Sequence, residues 1–230
     1  MSALWVERLG LLPYADALDL QRAVARARGT GEIPEDVLLL VEHPPVVTLG
    51  RAATPRHLLA SPQLLAARGV ELFEVERGGD VTFHGPGQLV GYPVVDLKRH
   101  RRDLHWYLRQ VEEALIQALE ALGVSAERRA GYTGVWTGGG ARKIASIGVH
   151  ARDWVTWHGF ALNVSTDLSY FDLIVPCGID DVAMTSVERE LETAVAMGAV
   201  EERVADAFGR VFGLEPAAAP PELLRSSVRA

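Results

Sequence analysis

The chain carries a single cysteine, Cys177, in the run Leu173-Ile174-Val175-Pro176-Cys177-Gly178-Ile179. One thiol can form no internal disulfide and no cysteine-rich zinc site, so Cys177 is a small buried hydrophobe, a spectator or a nucleophile. Its place between proline and glycine, after an apolar run, describes a turn that can present a reactive side chain outward. Lysine is almost as scarce. All but two of the 23 basic residues are arginine, the exceptions being Lys98 and Lys143. A guanidinium stays charged at ordinary pH, whereas an amine can lose its proton. Where arginine serves nearly every cationic purpose, a retained lysine is a candidate proton carrier. Lys143 follows the loop Gly138-Gly139-Gly140-Ala141-Arg142 and opens Lys143-Ile144-Ala145-Ser146-Ile147-Gly148. Strict strand alternation puts Lys143, Ala145 and Ile147 on one face, and burial of that face would lower the amine's proton affinity.

A third segment, Arg77-Gly78-Gly79-Asp80-Val81-Thr82-Phe83-His84-Gly85-Pro86-Gly87-Gln88, holds four glycines and a proline among twelve residues. Such a surface lets a ligand lie against peptide groups without meeting Cβ atoms. Arg77 can hold a carboxylate or phosphate. Thr82 and His84 alternate with Phe83 and so face one way together on a strand.

The elements that must position these residues read as follows. Leu4 to Leu11 is a first strand, and a helix runs from about Tyr14 to Arg28 behind Pro13. Val37 to Glu42, Val46 to Leu49 and Val70 to Val75 read as strands, with a short helix from Ser61 to Arg68. After the apolar stretch Leu89 to Leu97 comes the clearest helix, capped by Asp103 and stopped at Gly123. Gly134 to Thr137, Lys143 to Arg152 and Val155 to Val164 are strands, the last two joined tightly through Asp153-Trp154 as an antiparallel hairpin. Helices return from Thr185 to Met197, with Thr185 and Glu188 as a capping box, and from Val200 to Phe212. Strands cluster in the middle and helices early, between and late. The fold class is therefore α+β, a mixed or mainly antiparallel sheet flanked by helices. Residues 1–216 form one catalytic domain, and the Ala- and Pro-rich end, 217–230, is expected to fray.

The 48% hydrophobic and 23% charged composition is that of an ordinary globular chain. Its net charge of −7 argues against general affinity for nucleic acid or anionic membrane. The longest aliphatic run, Val37 to Val41, is far too short to span a bilayer. The start, Met1-Ser2-Ala3-Leu4-Trp5-Val6-Glu7, does not read as a signal peptide, so the expected compartment is the cytoplasm.

Four blocks in order, Arg-Gly-Gly-x-x-Thr-Phe-His-Gly-Pro-Gly-Gln (Arg77 to Gln88), Lys-Ile-Ala-Ser-Ile-Gly (Lys143 to Gly148), His-Gly-Phe-Ala-Leu-Asn-Val (His158 to Val164) and Val-Pro-Cys-Gly-Ile (Val175 to Ile179), resemble the signature of lipoyl(octanoyl) transferases. The resemblance spans roughly Val37 to Ser186. It implies the fold shared by biotin and lipoate protein ligases, with Cys177 as nucleophile and Lys143 as its partner. Arg77, Gly78, Gly79, Asp80, Val81, Thr82, Phe83 and His84, with Ser146, Ile147, Gly148, Gly159, Phe160 and Ala161, would line the acyl and thioester site. The implied reaction moves an octanoyl group from octanoyl-acyl carrier protein through a Cys177 thioester to a lysine of a lipoyl domain, in 2-oxoacid dehydrogenases or the glycine cleavage H protein. It needs no metal and no cofactor of its own, because phosphopantetheine arrives on the carrier protein. Backbone amides near Cys177-Gly178 or Gly78-Gly79 are candidate oxyanion donors. Of His84, His150 and His158, the first is favoured for that task.

Four alternatives remain at this point. An ATP-dependent lipoate or biotin-type ligase shares the fold but has no use for Cys177. An amidotransferase between lipoyl domains differs only in its donor. A cysteine hydrolase would pair Cys177 with a histidine, and a non-enzymatic binding module would form no adduct. Outside the blocks, the basic run Lys98-Arg99-His100-Arg101-Arg102 is either a solvated helix entrance or a docking patch for an acidic carrier or lipoyl domain.

Overall fold

The computed structural model describes residues 2–179 and 182–221. The chain opens with β1 (Ala3–Leu11), α1 (Tyr14–Thr30), β2 (Asp36–Glu42) and β3 (Val46–Leu49). A 3-10 turn at Pro55–His57, α2 (Pro62–Ala67), β4 (Glu71–Glu74), β5 (Val81–His84) and β6 (Gln88–Val94) follow. Then come α3 (Leu104–Ala121), β7 (Val135–Thr137), β8 (Arg142–Arg152) and β9 (Val155–Asn163). Beyond the 3-10 segments Leu168–Leu173 and Pro176–Gly178 lie β10 (Ala183–Met184), α4 (Val187–Leu191), α5 (Met197–Phe212) and β11 (Glu215–Ala218).

The large sheet has the order β10-β8-β9-β6-β2-β1-β11, with β7 also paired to β8, and a small sheet has the order β4-β3-β5. Ladders from β8 through β9 and β6 to β2 are antiparallel, whereas β2–β1, β1–β11 and β8–β10 are parallel. The sheet is thus mixed and flanked by helices, as the sequence implied. Its central strands are covered on both faces and so read as continuous apolar runs. Leu38 and Leu40 of β2, with Leu89, Phe160 and Leu162, face Val111, Leu115 and Leu119 of α3 and Val204 and Phe208 of α5. The alternate residues Val37, Leu39 and Val41, with Val90, Tyr92 and Ala161, face Ala17, Val24 and Ala25 of α1. The functional cavity opens on this second face.

Local chemistry sets the element ends. The Asp103 carboxylate accepts the Trp106 amide at 3.0 Å and starts α3. Asp153 and Trp154 take φ values of 51° and 66°, the two left-handed residues of a tight hairpin turn between β8 and β9. Three expectations need correction. The cap of α4 is Ser186, which accepts the Arg189 amide, while Thr185 donates its hydroxyl to Glu190. That helix ends at Leu191, where Glu192 turns left-handed at φ 54°, well short of Met197. Ala217 and Ala218, placed in the fraying tail, pair with Trp5 and Val6 in the sheet. Residues 222–230 of that expected tail lie outside the described residues.

The far end of the large sheet is closed by a buried charge cluster. Arg28 donates to Asp36 at 2.9 Å and lies 3.8 Å from Asp96, while His100 donates to Asp36 at 2.6 Å. Lys98 reaches Asp96, Arg99 the Pro34 carbonyl and Arg101 Asp103. Of the basic run, His100 is drawn into this cluster, while Lys98, Arg99, Arg101 and Arg102 remain exposed at its rim. Asp96 bridges to Val155, six residues along β9 from Ala161, which pairs with Ser146 beside the thiol. That is roughly 20 Å of strand. Among the described residues no helix is long and apolar enough to cross a membrane.

Candidate active site

Cys177 sits at the tip of the Pro176–Gly178 turn with φ 56° and ψ 19°, followed by Gly178 at φ 64°. A left-handed cysteine is strained by about 1–2 kcal/mol, so its surroundings must hold it. Three backbone hydrogen bonds do so: Val175 to the His57 carbonyl, Gly178 to Val175 and Ile179 to Pro176. The turn faces β8, where Lys143 Nζ lies 3.1 Å and Ser146 Oγ 3.6 Å from Cys177 Sγ. The two residues, 34 positions apart in sequence, thus meet in space.

Lys143 and Ser146 are three residues apart, and a regular strand would point them to opposite faces. A β-bulge reconciles them. In the β7–β8 ladder Val135 pairs with Ala145 but Trp136 pairs with Lys143, which leaves Ile144 as an extra residue. Ile144 and Ala145 both enter the core beneath α3 and α5. The phase of the strand shifts by one, and Lys143 and Ser146 converge on the thiol. The expected shared face of Lys143, Ala145 and Ile147 does not form.

Lys143 is only 1% exposed, and its amine lies 5.3 Å from the centre of the buried Trp136 ring, a cation–π distance. Gly134, at φ 133°, makes room for its stem: a Cβ there would lie 2.8 Å from Lys143 Cε and 2.7 Å from the Ala145 carbonyl. Burial pushes the Cys177 thiol pKa up. The ammonium of Lys143, hydrogen bonds from Lys143 and Ser146, and the more distant Arg77 charge outweigh it, and the net shift is downward. The arrangement favours a thiolate–ammonium pair.

The thiol opens into a cavity of about 300 Å³. Of the predicted residues, Arg77, Gly79, Asp80, Thr82, His84, Ser146, Ile147, Gly148, Gly159, Phe160 and Ala161 line it together with Cys177 and Lys143. Thr82 and His84 do face one way. Val81 and Phe83 turn the other way and pack with Leu173 and Ile174. Gly78 stands back from the cavity and donates its amide to Val149 at 2.8 Å. The amides of Gly78 and Gly178 are thus committed to carbonyls rather than offered to an oxyanion.

Arg77 is buried, and its guanidinium donates to Thr48 and to the Gly78 carbonyl rather than outward to a ligand. Its role is a fixed positive charge beneath the site. His84 is also different from expectation. Gln88 donates its amide hydrogens to the Phe83 carbonyl and to Asn163, so its oxygen must accept from His84 Nδ1. Burial, reinforced by the neighbouring His43, pushes His84 down to about 3. The ring is neutral and Nε2 is an acceptor, which disqualifies it as an oxyanion donor. His150 is tied to the Glu76 carbonyl, and His158 lies 3.7 Å from the Glu76 carboxylate, beyond hydrogen-bond range.

Residues missed at the sequence level complete the far wall. Tyr14 stacks on His84 with ring centres 6.0 Å apart, and Tyr92 donates to His43 at 2.7 Å. Both tyrosines and Val90 line the cavity, and Tyr132 and Thr133 line it from the loop before β7. Tyr92 and Val90 were visible only as apolar strand positions, and Tyr14 only as the first residue of a helix.

The sequence profile of the lipoyl protein ligase A/B catalytic domain matches residues 13–209. An octanoyltransferase of Myxococcus xanthus is 49% identical over 99% of this chain, which spans 65% of that relative's length. An octanoyltransferase of Chloroflexus aurantiacus is 52% identical over 94% of this chain and 97% of its own. Among solved structures, a bipartite lipoate protein ligase from Thermoplasma acidophilum superposes with a TM-score of 0.79 over 100% of this chain and 91% of its own, at 18% identity, a likeness of fold. With the profile covering most of the chain and the Chloroflexus relative matching almost end to end, this protein belongs to the lipoyl protein ligase A/B catalytic domain family, among its octanoyltransferases.

Proposed function

We propose that the chain transfers an octanoyl group from octanoyl-acyl carrier protein, through a Cys177 thioester, to the ε-amine of a lipoyl-domain lysine in the cytoplasm. The observation that carries this reading is the 3.1 Å contact between Lys143 Nζ and Cys177 Sγ at the edge of the cavity. The thiolate attacks the donor carbonyl, and the departing phosphopantetheine thiolate takes its proton from the Lys143 ammonium. Lys143 is then neutral and accepts a proton from the incoming lysine as its nitrogen attacks the acyl-enzyme. Collapse of the tetrahedral adduct releases the Cys177 thiolate beside a restored ammonium. Such a positioned acid–base contributes about 10²–10⁴ in rate. The Ser146 hydroxyl and the Lys143 ammonium are the donors nearest the developing charge. Thioester exchange is nearly balanced and amide formation runs downhill, so the reaction calls for neither nucleotide nor metal.

The cavity floor supports an acyl chain. Ser146 pairs with Ala161 and Ala161 with Val90, while Gly148 pairs with Gly159. These small side chains leave a shallow trough across β8, β9 and β6. Two strand spacings measure roughly 10 Å, close to the reach of an extended eight-carbon chain. Tyr92, His84 and Tyr14 close the far end in this reading.

Intact mass after incubation with octanoyl-acyl carrier protein, without ATP, tests the proposal. A gain of one octanoyl group, absent in Cys177→Ala and lost on adding apo lipoyl domain, is the expected result. No adduct, with ATP-dependent activity surviving in Cys177→Ala, would replace it with the ligase reading. Equal or faster acylation from an octanoylated lipoyl domain would identify the amidotransferase.

A further inference from the structure

His57 lies 120 residues before the thiol (177 − 57) and outside every block that carries the family resemblance, yet two of its groups grip the cysteine turn. Its carbonyl accepts the Val175 amide at 2.8 Å, two residues before Cys177. Its ring donates from Nδ1 to Asp80 Oδ2 at 2.6 Å. The other Asp80 oxygen accepts the Val81 amide at 2.7 Å, and the Asp80 carbonyl accepts the Gly50 amide at 3.2 Å, so the carboxylate is fixed at the entrance to β5. Gly178 rests against this pair. A Cβ on Gly178 would lie 2.5 Å from Asp80 Oδ2 and 3.0 Å from His57 Cε1. His57 itself does not line the cavity, so it is not in place to touch substrate.

We propose that His57 is a positioning residue for the thiol: its ring and Asp80 form the wall behind Gly178, its carbonyl anchors Val175, and Cys177 is held in its left-handed conformation between the two contacts. The strain at Cys177 is why such a wall is needed. Released from one side, the turn relaxes toward extended backbone and carries Sγ away from Lys143. A displacement of about 1 Å at a reacting atom can cost about 100-fold in rate. The hydrogen bond between ring and carboxylate makes His57 and Asp80 one unit, so their losses should not add.

This inference rests on the transfer reading for its kinetic part and is independent of it for the rest. Because Cys177 is the only cysteine, alkylation by iodoacetamide reports on it alone. In full-length His57→Ala, the pH midpoint of alkylation should rise. The maximal rate of Cys177 acylation should fall about 10- to 100-fold, with the donor KM changed by less than about twofold. His57→Asn, whose amide can donate from near the Nδ1 position, should recover most of both. Asp80→Ala should match His57→Ala, and the double variant should be no worse than either. A folded His57→Ala with the wild-type alkylation midpoint and acylation rate would overturn the proposal, as would equal losses in His57→Ala and His57→Asn. Should His57→Ala fail to melt cooperatively, a wild-type alkylation profile in Asp80→Ala overturns it instead. If wild type is not acylated at all, the transfer reading falls, while the alkylation midpoints still decide the positioning role.

Discussion

Two buried basic residues sit at opposite ends of the same large sheet and have opposite uses. Arg28 is held by Asp36 and Asp96, with His100 also on Asp36. Burial pushes the Asp36 carboxyl up, but hydrogen bonds from His100 and the Asp96 amide and the Arg28 charge outweigh it and hold it below its ordinary range. The cluster ties α1, β2 and the entrance to α3 together. Lys143 is as deeply buried, but its amine is directed at a thiol and packed near an indole ring. The partner there is ionised only to the extent that the amine makes it so. A buried charge with permanent partners is structural; one whose partner shares its proton is chemistry in waiting.

Substitution should separate the two ends. Lys143→Met should lower octanoyl transfer by about 10²–10⁴-fold and raise the alkylation midpoint of Cys177, read by single-turnover kinetics and pH-dependent alkylation. Arg28→Met should leave that midpoint in place. It should cost about 3–5 kcal/mol of stability in urea denaturation, because two buried carboxylates lose their common partner. If both variants shifted the midpoint equally, the contrast between the ends would collapse. Gly134→Ala tests how closely Lys143 is fitted. Its Cβ would crowd Lys143 Cε and a carbonyl at a left-handed φ, and a loss of about 1–3 kcal/mol should come with slower transfer.

A pH dependence of stability should follow from the thiol. Its pKa is lower in the folded chain than in the unfolded one, so the thiolate's stabilisation is complete above the unfolded value of about 8.5 and fades as pH falls through the folded value. The stability gap between wild type and Cys177→Ala should therefore widen as pH rises toward 8.5. A constant gap would show that the pair is neutral in the native state. The smallest effect is expected from Arg99, Arg101 and Arg102 changed together to Gln. With the run roughly 20 Å of strand from the thiol, transfer should keep its salt dependence, and a flattened profile would support the docking patch.

The elements legible in the sequence were those defined by neighbours along the chain. Asp103 and Gly123 bracket α3, and Asp153-Trp154 turns the β8–β9 hairpin, because caps and tight turns are local chemistry. Cys177, Lys143 and the cavity-facing Thr82 and His84 could be named from scarcity, motif and alternation. What escaped was set by contacts between distant segments. The parallel pairing of β10 with β8, the grip of His57 on the cysteine turn and the far wall of Tyr14 and Tyr92 have no signature in their own neighbourhoods. His84 was assigned a donor's task because only the chain of amides through Gln88 and Asn163 reveals which nitrogen carries its proton.

The extra residue at Ile144 gives the strand something like a reading frame. Substituting Ile144 alters packing alone, but deleting it would restore strict alternation and leave the composition of β8 almost untouched. Lys143 and Ser146 would then stand two positions apart, and the regular pleat would keep both on the face of the thiol, so the loss falls on the Ile144 packing beneath α3 and α5 rather than on the amine. The bulge and the three-residue spacing are therefore one device: the spacing demands the bulge, and only a change that removes the bulge while keeping Ile144 would turn the amine away from the thiol.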